Sequence, residues 1–212
     1  MKKAVSTQSL LFIFLMCCMT SLSYADSIHY VEGQDYTHIS GFPEKHLPVV
    51  REFFSYNCPH CYRQDARFDD MARLLGEKII FVRTSVGAGR QTWILSQKAY
   101  YLAEKFKVIS QVHSAIFKRI HEQEGSFNNE MDVVNFFVKQ GLEINEVKAA
   151  LASADASLAI ANYDLQTQLS GIRGVPSLLV NGQYLVNSTS QSPKQLSQLV
   201  QYLSQLTLKK EQ

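Results

Sequence analysis

Residues 48–61, PVVREFFSYNCPHC, confine the fold more tightly than any other stretch of the chain. Val49, Val50, Phe53 and Phe54 make a short β-rich run of the kind that forms a strand. Past Pro59 the period changes. Phe68, Met71, Ala72 and Leu75 recur at i, i+3, i+4 and i+7, the stripe of an amphipathic helix. Pro59 suits the first helical turn, where its missing N–H leaves no bond unmade. A strand therefore passes through a tight turn directly into a helix, the signature of an α/β chain, and Cys58 and Cys61 stand at that helix start.

What a cysteine pair can be depends on its compartment. The chain opens MKKAVSTQSLLFIFLMCCMTSLSYADS. Lys2 and Lys3 give a positive end, Leu10 to Met19 an apolar run too short to span a bilayer, and Ser23-Tyr24-Ala25 a cleavage-site pattern. These features read as a secretory signal peptide, residues 1–25, and place the remainder outside the cytoplasm. Cys17 and Cys18 leave with the leader; the residues before them, Met16 and Cys17, are not the small residue that lipid attachment favours. Of 212 residues 187 remain, enough for one domain with a sizeable core. Without Lys2 and Lys3 the 21 basic residues become 19 against 19 acids, a balance that argues against nucleic acid or an anionic membrane as partner.

Only Cys58 and Cys61 then remain. A bridge closing a loop of about four residues removes little unfolded-state entropy, so a purely structural staple gains little here. Zinc needs about four ligands, usually a second closely spaced pair, and the histidines are scattered. Redox chemistry remains, with the disulfide itself in place of a cofactor and no metal. Cys58, at the helix N-terminus, faces unpaired N–H groups that favour a thiolate, so it is expected to be the exposed, attacking sulfur. Cys61, one turn further in, is expected to be buried behind it as the resolving one.

His60, between the two, is read as a protonatable ring that stabilises the thiolate, whereas His29, His38 and His46 are read as exposed. Glu52 is unusual in an apolar strand, but Arg51 beside it shows that the strand tolerates charge. The strand alone leaves Glu52 open between a buried acid and a solvated end. Further on, LSGIRGVPSLLVNGQYLVN (169–187) holds two β-rich runs, 177–180 and 183–186, around Asn181-Gly182, a strong hairpin signal. Pro176 precedes the first run, and the pattern alone gives an ordinary trans proline there.

FFS-x-x-CPHCY with Glu six residues before the first cysteine, followed about 115 residues later by GVP-x-x-x-VNG-x-Y, resembles the DsbA family of thioredoxin-like periplasmic thiol oxidases. YVEGQDYTHIS resembles that family's first strand, so the likeness covers nearly the whole mature chain. It implies an α/β thioredoxin-like fold with an all-helical insertion. It also implies Cys58 as the substrate-linked cysteine, Cys61 as the resolving one, and Val175-Pro176 as a cis-proline site facing the disulfide and substrate. By position Glu52 matches a buried acid near the resolving cysteine. The second disulfide of some members is absent, because this chain has no cysteines in that region.

The intervening sequence is helical. After a strand, KIIFVRTSV (78–86), Leu95, Ala99, Leu102, Ala103 and Phe106 form one stripe, and Ile109, Val112, Ile116 and Ile120 another. Met131, Val134 and Val138 form a third, and Val147, Leu151, Ala154, Leu158, Leu165 and Leu169 a fourth, broken near Ser153 and stopped at Gly171. All four stripes are read as core, and His113 and His121 as surface residues. The expected division is 26–86 and 163–212 for the thioredoxin-like domain and 87–162 for the insertion, with Pro193–Leu208 as a closing helix.

The function that follows is a dithiol oxidase. It would pass the Cys58–Cys61 disulfide to exported proteins with free thiols and be reoxidised by a quinone-linked membrane partner of DsbB type, which the resemblance implies. Two alternatives stay open: a disulfide isomerase or reductase on the same fold, and a non-catalytic peptide-binding module.

Overall fold

The computed structural model describes residues 29–210, apart from 43, 45 and 47; the leader read at 1–25 lies outside the described residues. A five-stranded sheet carries the order β1-β5-β4-β2-β3. The strands are β1 (Tyr36–His38), β2 (Val49–Phe54), β3 (Ile80–Ser85), β4 (Ser177–Val180) and β5 (Tyr184–Val186). Only β2 and β3 run parallel, and α1 (Pro59–Leu75) makes the crossover between them.

β2 is interior, between β4 and β3, and its apolar side chains are fully covered. Its two charges are paired. Arg51 donates from Nε and Nη2 to both oxygens of Glu44 at 2.8 and 2.7 Å. Glu52 stands opposite Arg83 in the parallel register with β3 and accepts a bond from its Nε at 2.8 Å.

Helix α1 buries Cys61, Asp65, Phe68, Met71 and Leu75, so the apolar stripe begins at the second cysteine. Phe68, Met71 and Leu75 pack with Val50, Leu178 and Val180 of the sheet and with α7 (Pro193–Lys210). α7 begins where the sequence pattern places it. Asn181-Gly182 form the β4–β5 turn with φ of 49° and 67°, the double left-handed conformation of a type I′ hairpin. A Cβ on Gly182 would lie 2.0 Å from the Phe42 carbonyl oxygen, so glycine is required there by space as well as by φ.

The insertion comprises α2 (Gln91–Lys105), α3 (Ile109–Lys118), α4 (Glu130–Lys139), α5 (Ile144–Leu151) and α6 (Ala154–Ser170), with one π turn at Arg119–Gln123. Its core includes Leu95, Leu102, Val112 and Ile116, and Phe54, Tyr56, Cys58 and Cys61 belong to the same cluster. The cysteines therefore sit at the junction of the two layers.

Ser153 caps α6 by accepting the Ala156 N–H, which explains the break read there, and Gly171 ends the helix at φ 64°. α6 is continuous through the expected boundary at 162, and the sheet resumes only at Ser177.

Two stripes differ from their reading. On α4, Met131 and Val138 are exposed, and the buried face is Val133, Val134 and Phe137. On α6, Leu158 (68% exposed), Leu165 and Leu169 face outward, as does Ala154. The buried seam of α6 is narrow, Ala156, Tyr163 and Ser170, spaced by seven, with Ala159 and Ile160 partly buried beside it, and its leucines lie on the open side.

Asn181 ties the β4–β5 turn to β2 and to α7. It is buried, its Oδ1 accepts the Val49 N–H at 2.9 Å, and its Nδ2 donates to the Ser204 carbonyl at 3.1 Å. Asn181→Ala should cost about 2–4 kcal/mol, from two stranded buried partners and an unfavourable φ. Asn181→Gly should recover only the conformational part. Denaturant midpoints check this, and an unchanged midpoint for Asn181→Ala would contradict the assignment.

Candidate active site

Cys58 is the N-cap of α1, with extended φ and ψ of −90° and 116°. Its Sγ accepts the backbone N–H of Cys61 at 3.4 Å, the bond a serine or aspartate cap would accept, and it also lies 3.4 Å from the Val175 carbonyl oxygen. Both thiols are free. Cys58 is only 6% exposed, a correction to the open sulfur expected from its position. It lines a cavity of about 340 Å³ instead, walled by Trp93 and Thr167 of the insertion and by Val86, Ile172 and Val175 at the sheet end. Cys61 is fully buried, as its place one turn further in requires.

The two thiols diverge in acidity. Cys58 is lowered to about 6, chiefly by the hydrogen bond from the Cys61 thiol. Burial opposes this, while the backbone N–H groups of Cys61 and His60 and the His60 charge add to it. Cys61 is pushed far above the ordinary thiol range by burial, then by its bond to Cys58 and the nearby Cys58 charge, with Glu52 adding repulsion. At neutral pH one sulfur is a thiolate and the other a thiol.

His60 is exposed, and Arg63, three residues on, approaches its Nδ1 at 2.9 Å. A guanidinium only donates, so Nδ1 is the acceptor in this contact. His60 therefore acts on Cys58 first through its backbone N–H, and its ring charge is the smallest of the contributions named. Pro59 occupies the first helical position, as expected. Val175-Pro176 is cis rather than the trans form the local pattern gives, and it presents the Val175 carbonyl to Cys58.

Glu52 is 1% exposed and lies at one end of a charged chain buried between sheet and insertion. Burial pushes its carboxyl up, opposed by Arg83 and then His113. Arg83 also donates to Asp69 at 2.7 Å and lies 3.6 Å from Asp65. Asp65 accepts from His113 Nε2 at 2.9 Å, and His113 Nδ1 shares a hydrogen bond with the Tyr56 hydroxyl at 2.7 Å.

His113 is thus a buried link and not the surface residue its spacing suggested. His113, Ile116, Phe117 and Ile120 follow i, i+3, i+4, i+7, and that signal places it on the apolar face. Asp65 lies likewise between Cys61 and Phe68 on one face. His121 is half-buried, donates from Nε2 to the Tyr56 carbonyl at 2.8 Å, and stacks on Tyr62 with ring centroids 4.8 Å apart. Asn57 bonds Ser126 at 2.6 Å and accepts from Ser96, which fixes the loop before Cys58 against the insertion.

The family model for the DSBA-like thioredoxin domain matches residues 91–201. The chain belongs to this family. The thiol:disulfide interchange protein DsbA of Escherichia coli strain K12 is 26% identical over 182 residues, covering 84% of this chain and 86% of that protein. The protein of the same name from Pseudomonas aeruginosa is 24% identical over 199 residues, covering 91% of this chain and 94% of its own length. The solved DsbA of Proteus mirabilis is 26% identical with a TM-score of 0.73, covering 84% of this chain and 98% of its own. That of Pseudomonas aeruginosa reaches a TM-score of 0.76 at 22% identity, over 86% and 96%. The protein is accordingly a DsbA-family thiol:disulfide oxidoreductase with the DsbA-like thioredoxin fold.

Two outcomes are expected of this DsbA-like site. In the reduced native protein, an alkylating reagent should modify Cys58 with a rate that rises through pH 6 while Cys61 stays unlabelled. Peptide mapping reads this, and faster labelling of Cys61 would reverse the roles. Arg83→Met leaves Glu52 and Asp65 buried without their cation and should cost about 3–5 kcal/mol, more than Glu52→Leu. Equal costs in denaturant titration would show that Arg83 does not anchor the charges.

Proposed function

We propose that the protein is a dithiol oxidase that donates its Cys58–Cys61 disulfide to exported proteins during their folding. The observation that carries this reading is the divergence of the two thiols: Cys58 is lowered to about 6 while Cys61 is raised. In the oxidised protein a substrate thiolate attacks Cys58 Sγ. The Cys58–Cys61 bond breaks, and Cys61 takes up a proton. A second substrate thiolate then attacks the substrate sulfur of the mixed disulfide, and Cys58 departs as a thiolate. Two electrons pass to the enzyme and one disulfide to the substrate. A stabilised thiolate is a good leaving group, so the second displacement is favoured in the oxidising direction.

Val175 and Pro176 take the part of a docking edge. The Val175 main chain beside Cys58 offers an extended substrate strand-like bonds. Glu52 acts on Cys61 by its charge and keeps the resolving thiol from ionising freely.

The reduced enzyme needs an oxidant, which we take to be a quinone-linked membrane protein of DsbB type. The leader pattern at 1–25 supports a periplasmic location. No helix among the described residues is long and apolar enough to cross a membrane.

Equilibration with glutathione buffers tests the direction. A potential on the oxidising side of about −180 mV is expected, and a value near −270 mV would support a reductase instead. A second test uses pH. Cys58 titrates at about 6 in the folded reduced protein and at about 8.5 unfolded. A depressed folded pKa stabilises the fold fully above the unfolded value, and the gain is lost as pH falls through 6. The reduced form should therefore gain on the oxidised form between about pH 6 and 8.5, by at most about 1.4 kcal/mol per pH unit. Screening at the groove narrows that window. Paired denaturant melts read it, and a pH-independent gap would contradict the assignment.

A further inference from the structure

The cavity beside Cys58 has a composition that the redox chemistry does not require. Its rim carries Arg90, from the loop ahead of α2, and Arg173, from the loop ahead of β4, and no carboxylate lines it. Its walls include Trp93, Ile172 and Val175.

Both arginines are exposed, and neither forms an ion pair among the described residues. The Arg90 guanidinium lies 4.8 Å from the centre of the Trp93 ring, stacked on it, so its position is set before any ligand arrives. The groups that chiefly lower Cys58 are Cys61 and His60, and neither arginine is among them. The two cations are therefore spare with respect to the sulfur.

We infer that Arg90 and Arg173 make this groove selective for substrate segments that carry an aspartate or glutamate close to the reacting cysteine. The inference rests on the dithiol exchange reading above and names the substrate class of the same site. About 340 Å³ holds only two or three side chains, so the residues read are those adjoining the cysteine. Charge complementarity selects the acidic side chain: an unpaired guanidinium takes a carboxylate bidentately, and two of them on one rim repel lysine and arginine. The wall of Trp93 and Ile172 accepts an apolar neighbour, while the Val175 main chain holds the segment extended beside Cys58. The same features disfavour substrates whose cysteine stands among basic residues.

The test uses the full-length mature protein and two reduced peptides of equal length. One has its cysteine flanked by aspartates, the other by lysines, with an apolar residue at the same place in both. Rates of mixed-disulfide formation with the oxidised protein should favour the acidic peptide by roughly 5-fold for each arginine at low salt, the upper range for exposed ion pairs. The ratio should shrink as salt rises. It should collapse in Arg90→Ser/Arg173→Ser and invert in Arg90→Glu/Arg173→Glu.

Serine versions of both peptides, which cannot react, measure binding alone through the fluorescence of Trp93, the single tryptophan of the chain. The same preference should appear there. Discrimination in binding without disulfide transfer would uphold the groove and discard the oxidase reading. Oxidation of both peptides at equal rates by the wild type, or a ratio unmoved by the double charge reversal, would overturn the groove assignment and leave the oxidase reading intact.

Discussion

The hydrogen bonds that reach Cys58 from Cys61 are the constraint on which the rest of this molecule depends. Cys58 is at once a helix cap and a nucleophile: its sulfur accepts the N–H of Cys61, and the Cys61 thiol donates to it. That requires an extended residue at the cap, a helix starting at Pro59, and a second cysteine three positions on. A side-chain acceptor at this position removes one orphan donor of the helix, as serine does elsewhere, and the donor in return favours negative charge on sulfur. The capping bond adds to an acidity that the Cys61 thiol chiefly sets.

The surrounding layers serve that contact. β2 delivers the chain to the cap, and its neighbours explain why it can carry charge. Glu52 meets Arg83 through strand register, and Arg83 connects onward to Asp65, His113 and Tyr56. This chain of polar groups crosses from the sheet into the insertion, so the helical layer is tied to the redox site by hydrogen bonds as well as by packing. Each member depends on its neighbours, because in a buried network an unpaired group costs more than its bond contributed. The insertion and the loop ahead of β4 together make Cys58 a sulfur at the wall of a groove.

Much of this was readable from residues alone, because the informative signals were local. The strand, the proline after Cys58 and the helical stripe fixed the cap, and Asn181-Gly182 fixed the hairpin. What escaped was non-local. The pairing of Glu52 with Arg83 depends on strand register, although charges inside two apolar strands, Arg51 and Glu52 in one and Arg83 in the other, were a clue. His113 looked like a surface histidine until its place on the Ile116–Phe117–Ile120 face was counted. Leu158, Leu165 and Leu169 looked like core because periodicity reports where apolar residues recur and not whether anything packs over them. The family likeness, and not the pattern around Val175-Pro176, gave the cis bond.

The central claim is that Cys61 and the helix start, more than the His60 ring, set the acidity of Cys58. The most direct measurement is an ultraviolet titration of the thiolate in the reduced wild type and in His60→Ala. The account predicts a midpoint near 6 in the wild type and one raised by less than about one unit in the variant. A return of His60→Ala to the ordinary thiol value of about 8.5 would contradict it, because the ring and not the cap would then hold the charge.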